Sequence, residues 1–199
     1  MDAPAGPAVA GLLLTGGASR RMGTDKALVE IDGRRLAERA ASVLASVCDP
    51  VLEVGPGVSG LGAVQEDPPG QGPLAALGAG AAELARRGYA GPVVVLAVDM
   101  PLVGTALVSL LAGRPGPATA VPVADGQPQP LCARYGPEAL AEVPVLLAAG
   151  ERSLRALLAA VEVSWVQPAE WEPASGPDAF RDLDTPEDVA ALRHNESDA

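Results

Sequence analysis

Residues 12–27 read Leu-Leu-Leu-Thr-Gly-Gly-Ala-Ser-Arg-Arg-Met-Gly-Thr-Asp-Lys-Ala. The apolar run ends at Gly16-Gly17, a pattern that predicts a buried strand entering a tight loop. Glycines allow backbone N–H groups to approach an anion closely, and Arg20, Arg21 and Lys26 add positive charge just after them. The stretch therefore predicts a site for a nucleoside triphosphate.

Two well-known phosphate loops do not fit this stretch. The P-loop requires Gly-x-x-x-x-Gly-Lys-Ser/Thr, whereas five residues separate Gly17 from Gly23 and Lys26 lies three positions past Gly23. The dinucleotide fingerprint requires Gly-x-Gly-x-x-Gly, which Gly16-Gly17 does not provide. A dinucleotide-dependent oxidoreductase is therefore disfavoured.

The spacing instead resembles the signature loop of the molybdenum cofactor guanylyltransferases and their nucleotidyltransferase relatives, roughly Leu-Ala-Gly-Gly-x-Ser-x-Arg-Met-Gly-x-Asp-Lys. The chain matches it throughout, except that Thr15 stands where alanine is usual. The resemblance covers residues 9–193. It implies transfer of GMP from Mg-GTP to the terminal phosphate of molybdopterin with release of pyrophosphate. Mg²⁺ is then the expected cofactor, GTP and molybdopterin are the expected partners, and cofactor-delivery or molybdoenzyme chaperone proteins are further candidates.

The pattern along the chain alternates strand-like and helix-like segments, which predicts an α/β fold. We expect a single-domain, doubly wound, Rossmann-like three-layer sandwich with a mostly parallel central sheet, of the nucleotide-diphospho-sugar transferase type. The predicted strands are Val9–Leu14, Val51–Val54, Ala63–Gln65, Val93–Val98, Thr119–Val123, Pro130–Tyr135 and Glu162–Val166. The predicted helices are Leu36–Val47, Leu74–Arg87, Thr105–Ala112, Pro137–Ala148, Ser153–Ala160 and Pro186–Arg193. Residues 168–177 are expected to form a loop.

Length and composition are typical of one intracellular domain. The chain has 199 residues, so we expect a flexible stretch at 1–7, one domain at 8–193 and a disordered tail at 194–199. Cys48 and Cys132 fit no metal or redox spacing, and the single histidine, His194, lies in the tail. No segment resembles a signal peptide or a membrane span, which predicts a cytoplasmic protein that does not bind membranes.

The net charge of −11 argues against nonspecific nucleic-acid binding. Positive charge is nevertheless concentrated near the start, where six of the 14 Lys and Arg residues lie within positions 1–39. An acidic protein that binds polyanions must gather its positive charge locally or recruit a cation. This chain is predicted to do both.

Three residues are predicted to be catalytic: Lys26, Arg21 and Asp99. In the resembling family the lysine contacts the nucleotide phosphates, where an exposed ammonium group neutralises charge that develops on the leaving pyrophosphate. Arg21 precedes the Met-Gly of the motif and is the arginine expected to grip phosphate. Asp99 follows a buried strand, so it either caps the next helix or, as the family's Asp-x-Pro implies, binds Mg²⁺.

Further residues are assigned to the nucleotide by the resemblance. Leu14, Thr15, Gly16 and Gly17 belong to the glycine loop. Asp67 is expected to bind a guanine edge or a ribose, and Gly72 precedes Pro73 at a helix start that either receives an anion or is a simple entry into the helix. Gly55 stands where the family often has asparagine, so any base contact there must come from the backbone.

Four more residues carry weaker assignments. Asp184 is expected near the metal and Asp182 near the substrate, since the family has Asn-x-Asn or Asp-x-Asp at this place. Arg152 and Ser153 resemble the family's pterin-side segment, although surface or helix-cap roles fit these two equally well.

Two other functions remain open. A cytidylyltransferase or sugar-phosphate nucleotidyltransferase has the same fold, but cytidine-using relatives often carry Ala-Ala-Gly where this chain has Thr15-Gly16-Gly17, and the missing side chain at Gly16 leaves room for a purine. A non-catalytic nucleotide-binding regulator is disfavoured because Lys26 and Asp99 are both intact.

Overall fold

The architecture is seen in a computed structural model that describes residues 9–16, 26–31, 33–116 and 118–181. The strands are β1 Ala10–Leu14, β2 Glu30–Ile31, β3 Arg34–Arg35, β4 Val51–Val54, β5 Gly62–Val64, β6 Val93–Ala97, β7 Thr119–Ala124, β8 Gln127–Pro128, β9 Cys132–Tyr135 and β10 Val163–Val166. The helices are α1 Leu36–Ala45, α2 Pro73–Arg86, α3 Thr105–Ala112, α4 Pro137–Ala148, α5 Leu154–Ala160 and α6 Pro168–Ser175. A short 3₁₀ helix, Lys26–Leu28, precedes β2.

The central sheet has the strand order β10-β7-β9-β6-β1-β4-β5, with β8 paired to the end of β7. Strand β1 lies between β4 and β6 and is parallel to both. Strand β9 is antiparallel to β6 and β7, whereas β10 is again parallel to β7. Because β1 and β6 are buried at every position, their sequences are continuous apolar runs.

Helices cover both faces of the sheet, so the core has two halves. Successive side chains of a strand point to opposite faces. Leu13 therefore packs in the half formed with α1, α3 and α6, and Leu12 packs in the half formed with α2, α4 and α5. The predicted doubly wound sandwich with a mostly parallel sheet is confirmed.

One segment differs from the sequence prediction. Residues 168–175, expected to be a loop because of their prolines, form helix α6. Pro168 occupies the first helical turn, where its missing N–H costs nothing, and Gln167 with Glu170 forms a capping box. Trp171 anchors the helix: its ring is buried, stacks edge-on against Phe180 and donates a 3.0 Å hydrogen bond to the Val123 carbonyl.

Both cysteines are buried, free thiols. Burial raises the pKa of Cys48 to about 11 and that of Cys132 to about 12. A thiol of this kind stays protonated at neutral pH and is a poor nucleophile or metal ligand. The two residues therefore act as small apolar side chains of the core.

Among the helices of the described residues, none combines the length and apolar character that a membrane span requires. The predicted helix at 186–193, the stretch 1–7 and the tail 194–199 lie outside the described residues.

Helix α2 packs so closely on the sheet that Gly80 has no room for a side chain. An added Cβ would lie 2.6 Å from a Leu12 methyl and 2.9 Å from a Val54 methyl. We expect Gly80→Ala to lower the free energy of unfolding by about 1–2 kcal/mol, because overpacking outweighs the gain in helix propensity of about 1 kcal/mol. Urea denaturation measures this change.

The matched control is Gly78→Ala, two residues away in the same helix. Its Cβ would meet Val143 and Leu147 at 3.0–3.1 Å, a contact that these side chains relieve by small shifts. A smaller loss than that of Gly80→Ala is expected, and equal losses at the two positions would contradict the packing argument.

Candidate active site

The glycine loop and Asp99 meet at one edge of the sheet. Strands β1 and β6 pair in parallel with Leu14 opposite Ala97, and the Val98 N–H donates to the Leu14 carbonyl at 3.0 Å. The segments that follow β1 and β6 therefore leave the sheet side by side, one toward Gly16 and the other toward Asp99. Carboxyl ends of parallel strands are where open α/β sheets bind ligands.

Lys26 and Asp99 form an ion pair at this edge, with Nζ 3.5 Å from Oδ2. Lys26 begins the 3₁₀ helix that follows the glycine loop. Its side chain is only 15% exposed and that of Asp99 is 28% exposed, so the lysine is less solvated than the sequence suggested. Two residues separated by 73 positions in the sequence are thus brought together at the carboxyl ends of the strands.

Asp99 does not cap the helix that follows it. The N-cap of α3 is Gly104, and α3 begins at Thr105. The second carboxylate oxygen of Asp99, Oδ1, is buried, and no hydrogen-bond partner for it lies among the described residues. An acceptor left unsatisfied in this way is costly unless a ligand completes it.

A hard cation fits that oxygen. Mg²⁺ takes oxygen ligands and is commonly bound by one or two carboxylates together with substrate phosphates. Within the described ranges, no three His, Cys, Asp or Glu side chains form a metal-binding group. Asp99 is therefore not part of a three-ligand cluster in the described residues, so a cation bound there would take further oxygens from a triphosphate or from water.

Glu53 is a feature of this edge that the sequence prediction missed. It is a fully buried carboxylate at the end of β4. Thr15 Oγ1 donates to it at 2.6 Å, and so do the N–H groups of Gly57, Val58 and Ser59 at 2.7–3.0 Å and the Ser59 hydroxyl. Burial alone would raise the pKa of Glu53, but these hydrogen bonds outweigh it and hold the pKa below its usual value. The signal available in the sequence was one acid within the apolar run Val51–Val54.

Gly55 brings the loop after β4 directly against the glycine loop. An added Cβ at Gly55 would lie 2.1 Å from Thr15 Oγ1 and 2.9 Å from the Gly16 nitrogen. The Thr15 and Gly16 N–H groups both donate to the Val54 carbonyl. Since no side chain fits at Gly55, this strand end offers a ligand only backbone, as the sequence comparison with asparagine-bearing relatives implied.

The start of helix α2 connects the two predicted substrate regions. Gly72 is the N-cap, with φ of +97°, and its α-carbon faces the Arg152 carbonyl, which would lie 3.1 Å from an added Cβ. The Leu74 N–H donates to the same carbonyl at 3.2 Å. Asp67 lies exposed in the loop between β5 and α2. The segment assigned to the nucleotide therefore touches the segment assigned to the second substrate.

Arg152 and Ser153 have structural contacts of their own. Arg152 Nη1 donates to the Leu147 and Glu151 carbonyls near the end of α4, and Ser153 Oγ accepts the Arg155 N–H as the N-cap of α5. The guanidinium is exposed, so these contacts leave it reachable from solvent. A substrate role for either residue stays a prediction.

Several predicted site residues lie outside the described residues. They are Gly17, Arg20, Arg21, Asp182 and Asp184. Leu14 is described and is buried, and its carbonyl is occupied within the sheet by Val98. Thr15 is buried, and Gly16 is the first exposed position after β1.

A second concave region has a different character. An apolar cavity of about 460 Å³ lies between α2 and α4, and none of the described residues lining it is charged. Tyr89 in its wall accepts the Ala10 N–H and donates to the Pro92 carbonyl, at the amino ends of β1 and β6. This cavity is thus at the opposite end of the strands from Gly16 and Asp99, and it offers nothing to bind phosphate.

Comparison with known proteins finds relatives that cover most of the chain. A probable molybdenum cofactor guanylyltransferase of Opitutus terrae is 40% identical over 77% of this chain and 79% of its own length. One of Chloroflexus aggregans is 32% identical over 93% of each chain. The crystal structure of molybdopterin-guanine dinucleotide biosynthesis protein A from Archaeoglobus fulgidus superposes with a TM-score of 0.79 at 23% identity, covering 96% of this chain and 100% of that one.

The family model that matches is that of the MobA-like NTP transferase domain, over residues 11–168. The matched range begins in β1 and contains the glycine loop, Lys26, Glu53 and Asp99. By its sequence, its fold and the residues at the edge of its sheet, this chain belongs to the family of MobA-like NTP transferase domains.

Proposed function

We propose that this chain transfers GMP from GTP to the terminal phosphate of molybdopterin, releasing pyrophosphate and forming the guanine dinucleotide cofactor. Two relatives at 32% and 40% identity carry the name probable molybdenum cofactor guanylyltransferase, which supports the substrates. The observation that carries the chemistry is the Lys26–Asp99 pair at the edge of the sheet, with one Asp99 oxygen buried and unpartnered among the described residues. The free, buried thiols fit the reducing cytoplasm.

The reaction needs no general base. A phosphate oxygen of molybdopterin forms a bond to the α-phosphorus of GTP, while the bond from that phosphorus to the bridging oxygen of pyrophosphate breaks. The attacking oxygen is already anionic, so no proton has to be removed. The single histidine, His194, lies outside the described residues and is not required. Catalysis then consists of positioning and charge neutralisation.

Each site residue has a part in that task. Because the Gly16 N–H donates to the Val54 carbonyl, the N–H groups assigned to phosphate are those of the glycine loop from Gly17 onward. Lys26 is assigned to neutralise charge on the leaving pyrophosphate. Arg21 adds a second positive charge. Asp67 and Gly72 are assigned to the base or ribose of GTP, whereas Asp182, Arg152 and Ser153 are assigned to the molybdopterin side.

Asp99 is the proposed Mg²⁺ ligand, with Asp184 as a second candidate carboxylate. When bound, the ion orients the phosphates and acts as a Lewis acid toward them. Asp99 also forms the ion pair with the Lys26 ammonium. The same carboxylate would therefore position both the ammonium group and the Mg²⁺ ion against the phosphates.

The nucleotide preference is testable without molybdopterin. GTP should raise the melting temperature more than ATP, CTP or UTP, because a ligand that binds only the native state stabilises it. When the GTP concentration is about 100 times its dissociation constant, the melting temperature of a chain of this size should rise by about 5–10 °C. Differential scanning fluorimetry with Mg²⁺ present measures it. A larger shift with CTP would contradict the guanylyl assignment and leave the fold intact.

Asp99→Asn keeps the size of the side chain and removes its charge. If Asp99 binds Mg²⁺, the variant should lose at least about tenfold in metal-dependent turnover, comparable to the loss of groups that support a bound metal. Pyrophosphate release measured over a range of Mg²⁺ concentrations tests this, with circular dichroism as the control for folding. Wild-type turnover at ordinary Mg²⁺ would show that Asp99 is not a metal ligand.

Lys26→Ala should reduce turnover by about 10²–10³-fold, the usual contribution of a group that stabilises developing negative charge. This corresponds to a barrier change of about 3–4 kcal/mol. Loss of the partly buried ion pair should cost about 1 kcal/mol of stability, since Asp99 loses its partner. Single-turnover GMP transfer and urea denaturation measure the two effects.

Lys26→Arg is the matched control because it preserves the charge. Only partial recovery is expected, since the planar guanidinium is larger than an ammonium point charge. If folded Lys26→Ala reacts within about threefold of wild type, Lys26 does not act on the phosphates, because the expected effect is far larger.

A further inference from the structure

The loop after β4 has its donors turned inward. Glu53 accepts the N–H groups of three successive residues, Gly57, Val58 and Ser59, and also the Ser59 hydroxyl. The carboxylate is fully buried, so these donors point into the protein. They are therefore not available to a ligand.

The same arrangement turns acceptors outward. The N–H and C=O of a trans peptide point in opposite directions, so the carbonyls of Pro56, Gly57 and Val58 point away from Glu53. Within the described residues, no hydrogen bond ends on these three carbonyls. Pro56 and Gly57 are exposed, which leaves the carbonyls open to solvent or to a ligand.

The loop that carries these carbonyls is joined to the glycine loop through Glu53. Thr15 Oγ1 and the Gly57 N–H bind the same Glu53 oxygen, Oε1, at 2.6 and 2.7 Å. Gly55 packs against Thr15 and Gly16 without room for a side chain. The loop with the outward acceptors is therefore fixed, through Glu53 and Gly55, to the first residues of the proposed phosphate loop.

We infer that Glu53 is a specificity-determining positioning residue, which fixes the carbonyls of residues 56–58 as an acceptor surface for the nucleobase. This inference rests on the proposed function and names the part of GTP that the loop recognises. Guanine presents two adjacent donors, N1–H and the 2-amino group, and a row of acceptors complements them. Cytosine presents the acceptors N3 and O2 at the equivalent edge, which the carbonyls would repel.

Inosine triphosphate is the probe because it lacks only the 2-amino group of GTP. The wild-type chain should bind GTP about tenfold more tightly than inosine triphosphate, the value of one well-made hydrogen bond. In Glu53→Gln, an amide NH₂ group replaces one of the two carboxylate oxygens. Because this group cannot accept a hydrogen bond from the loop N–H groups, at least one loop peptide must change its orientation. The variant should then bind GTP and inosine triphosphate with affinities that differ by about twofold at most. Isothermal titration calorimetry with Mg²⁺ measures both affinities.

Two further variants separate positioning from stability. Ser59→Ala removes one donor to Glu53 and perturbs the loop more gently, so the ratio should fall part of the way even if Glu53→Gln does not fold. Leu84→Val shortens a buried side chain on α2 and destabilises the fold without touching the loop. Its ratio should equal that of the wild type, because general destabilisation weakens the binding of both nucleotides equally.

The outcomes are distinct. A wild-type ratio near one, or an unchanged ratio in Ser59→Ala and in folded Glu53→Gln, would overturn the role of Glu53 while GMP transfer stands. A wild-type chain that binds no nucleoside triphosphate would overturn the proposed function, and this inference with it.

Discussion

The parallel, in-register pairing of β1 with β6 is the constraint from which the site follows. Both strands are buried on two faces, so their residues must be apolar along their whole length. Groups that bind polar ligands can then stand only where the strands end. The pairing of Leu14 with Ala97 makes the two ends coincide, and Gly16 and Asp99 become neighbours although they are far apart in sequence.

This edge of the sheet carries the positive side chain of Lys26, although the molecule as a whole is acidic. The net charge is −11, and an anionic substrate is repelled by most of such a surface. Lys26 is held by Asp99 in a partly buried pair, where screening by solvent is weaker than at an exposed site. A triphosphate bound at this edge, as proposed, would meet a fixed ammonium group, and the carboxylate that fixes that group has a second oxygen without a partner among the described residues.

The sequence allowed most of the sheet to be predicted because its strands are either continuous apolar runs or lie between clear turn residues. It also allowed the Gly16-Gly17 loop and Asp99 to be placed at one edge of the sheet, since the carboxyl ends of parallel strands converge whatever the strand order. The Lys26–Asp99 ion pair was not predicted, because it depends on the path of the chain between β1 and Lys26. Helix α6 was missed because its prolines suggested a loop, whereas its capping box and the burial of Trp171 decide the outcome. The hydrogen bonds of Glu53 were not predictable because their donors come from the fold of a loop and from a different strand.

Glu53 also shows why a departure from local pattern is informative. A carboxylate inside an apolar strand is destabilising unless every acceptor is satisfied, and here five donors satisfy it. One of those donors is Thr15, the single position where the glycine loop differs from the usual alanine. Thr15 and Glu53 therefore form one unit that joins the glycine loop to the loop after β4. The buried acid and the hydroxyl that binds it therefore fix the geometry between those loops, and a nucleotide spanning both loops would require such a fixed geometry.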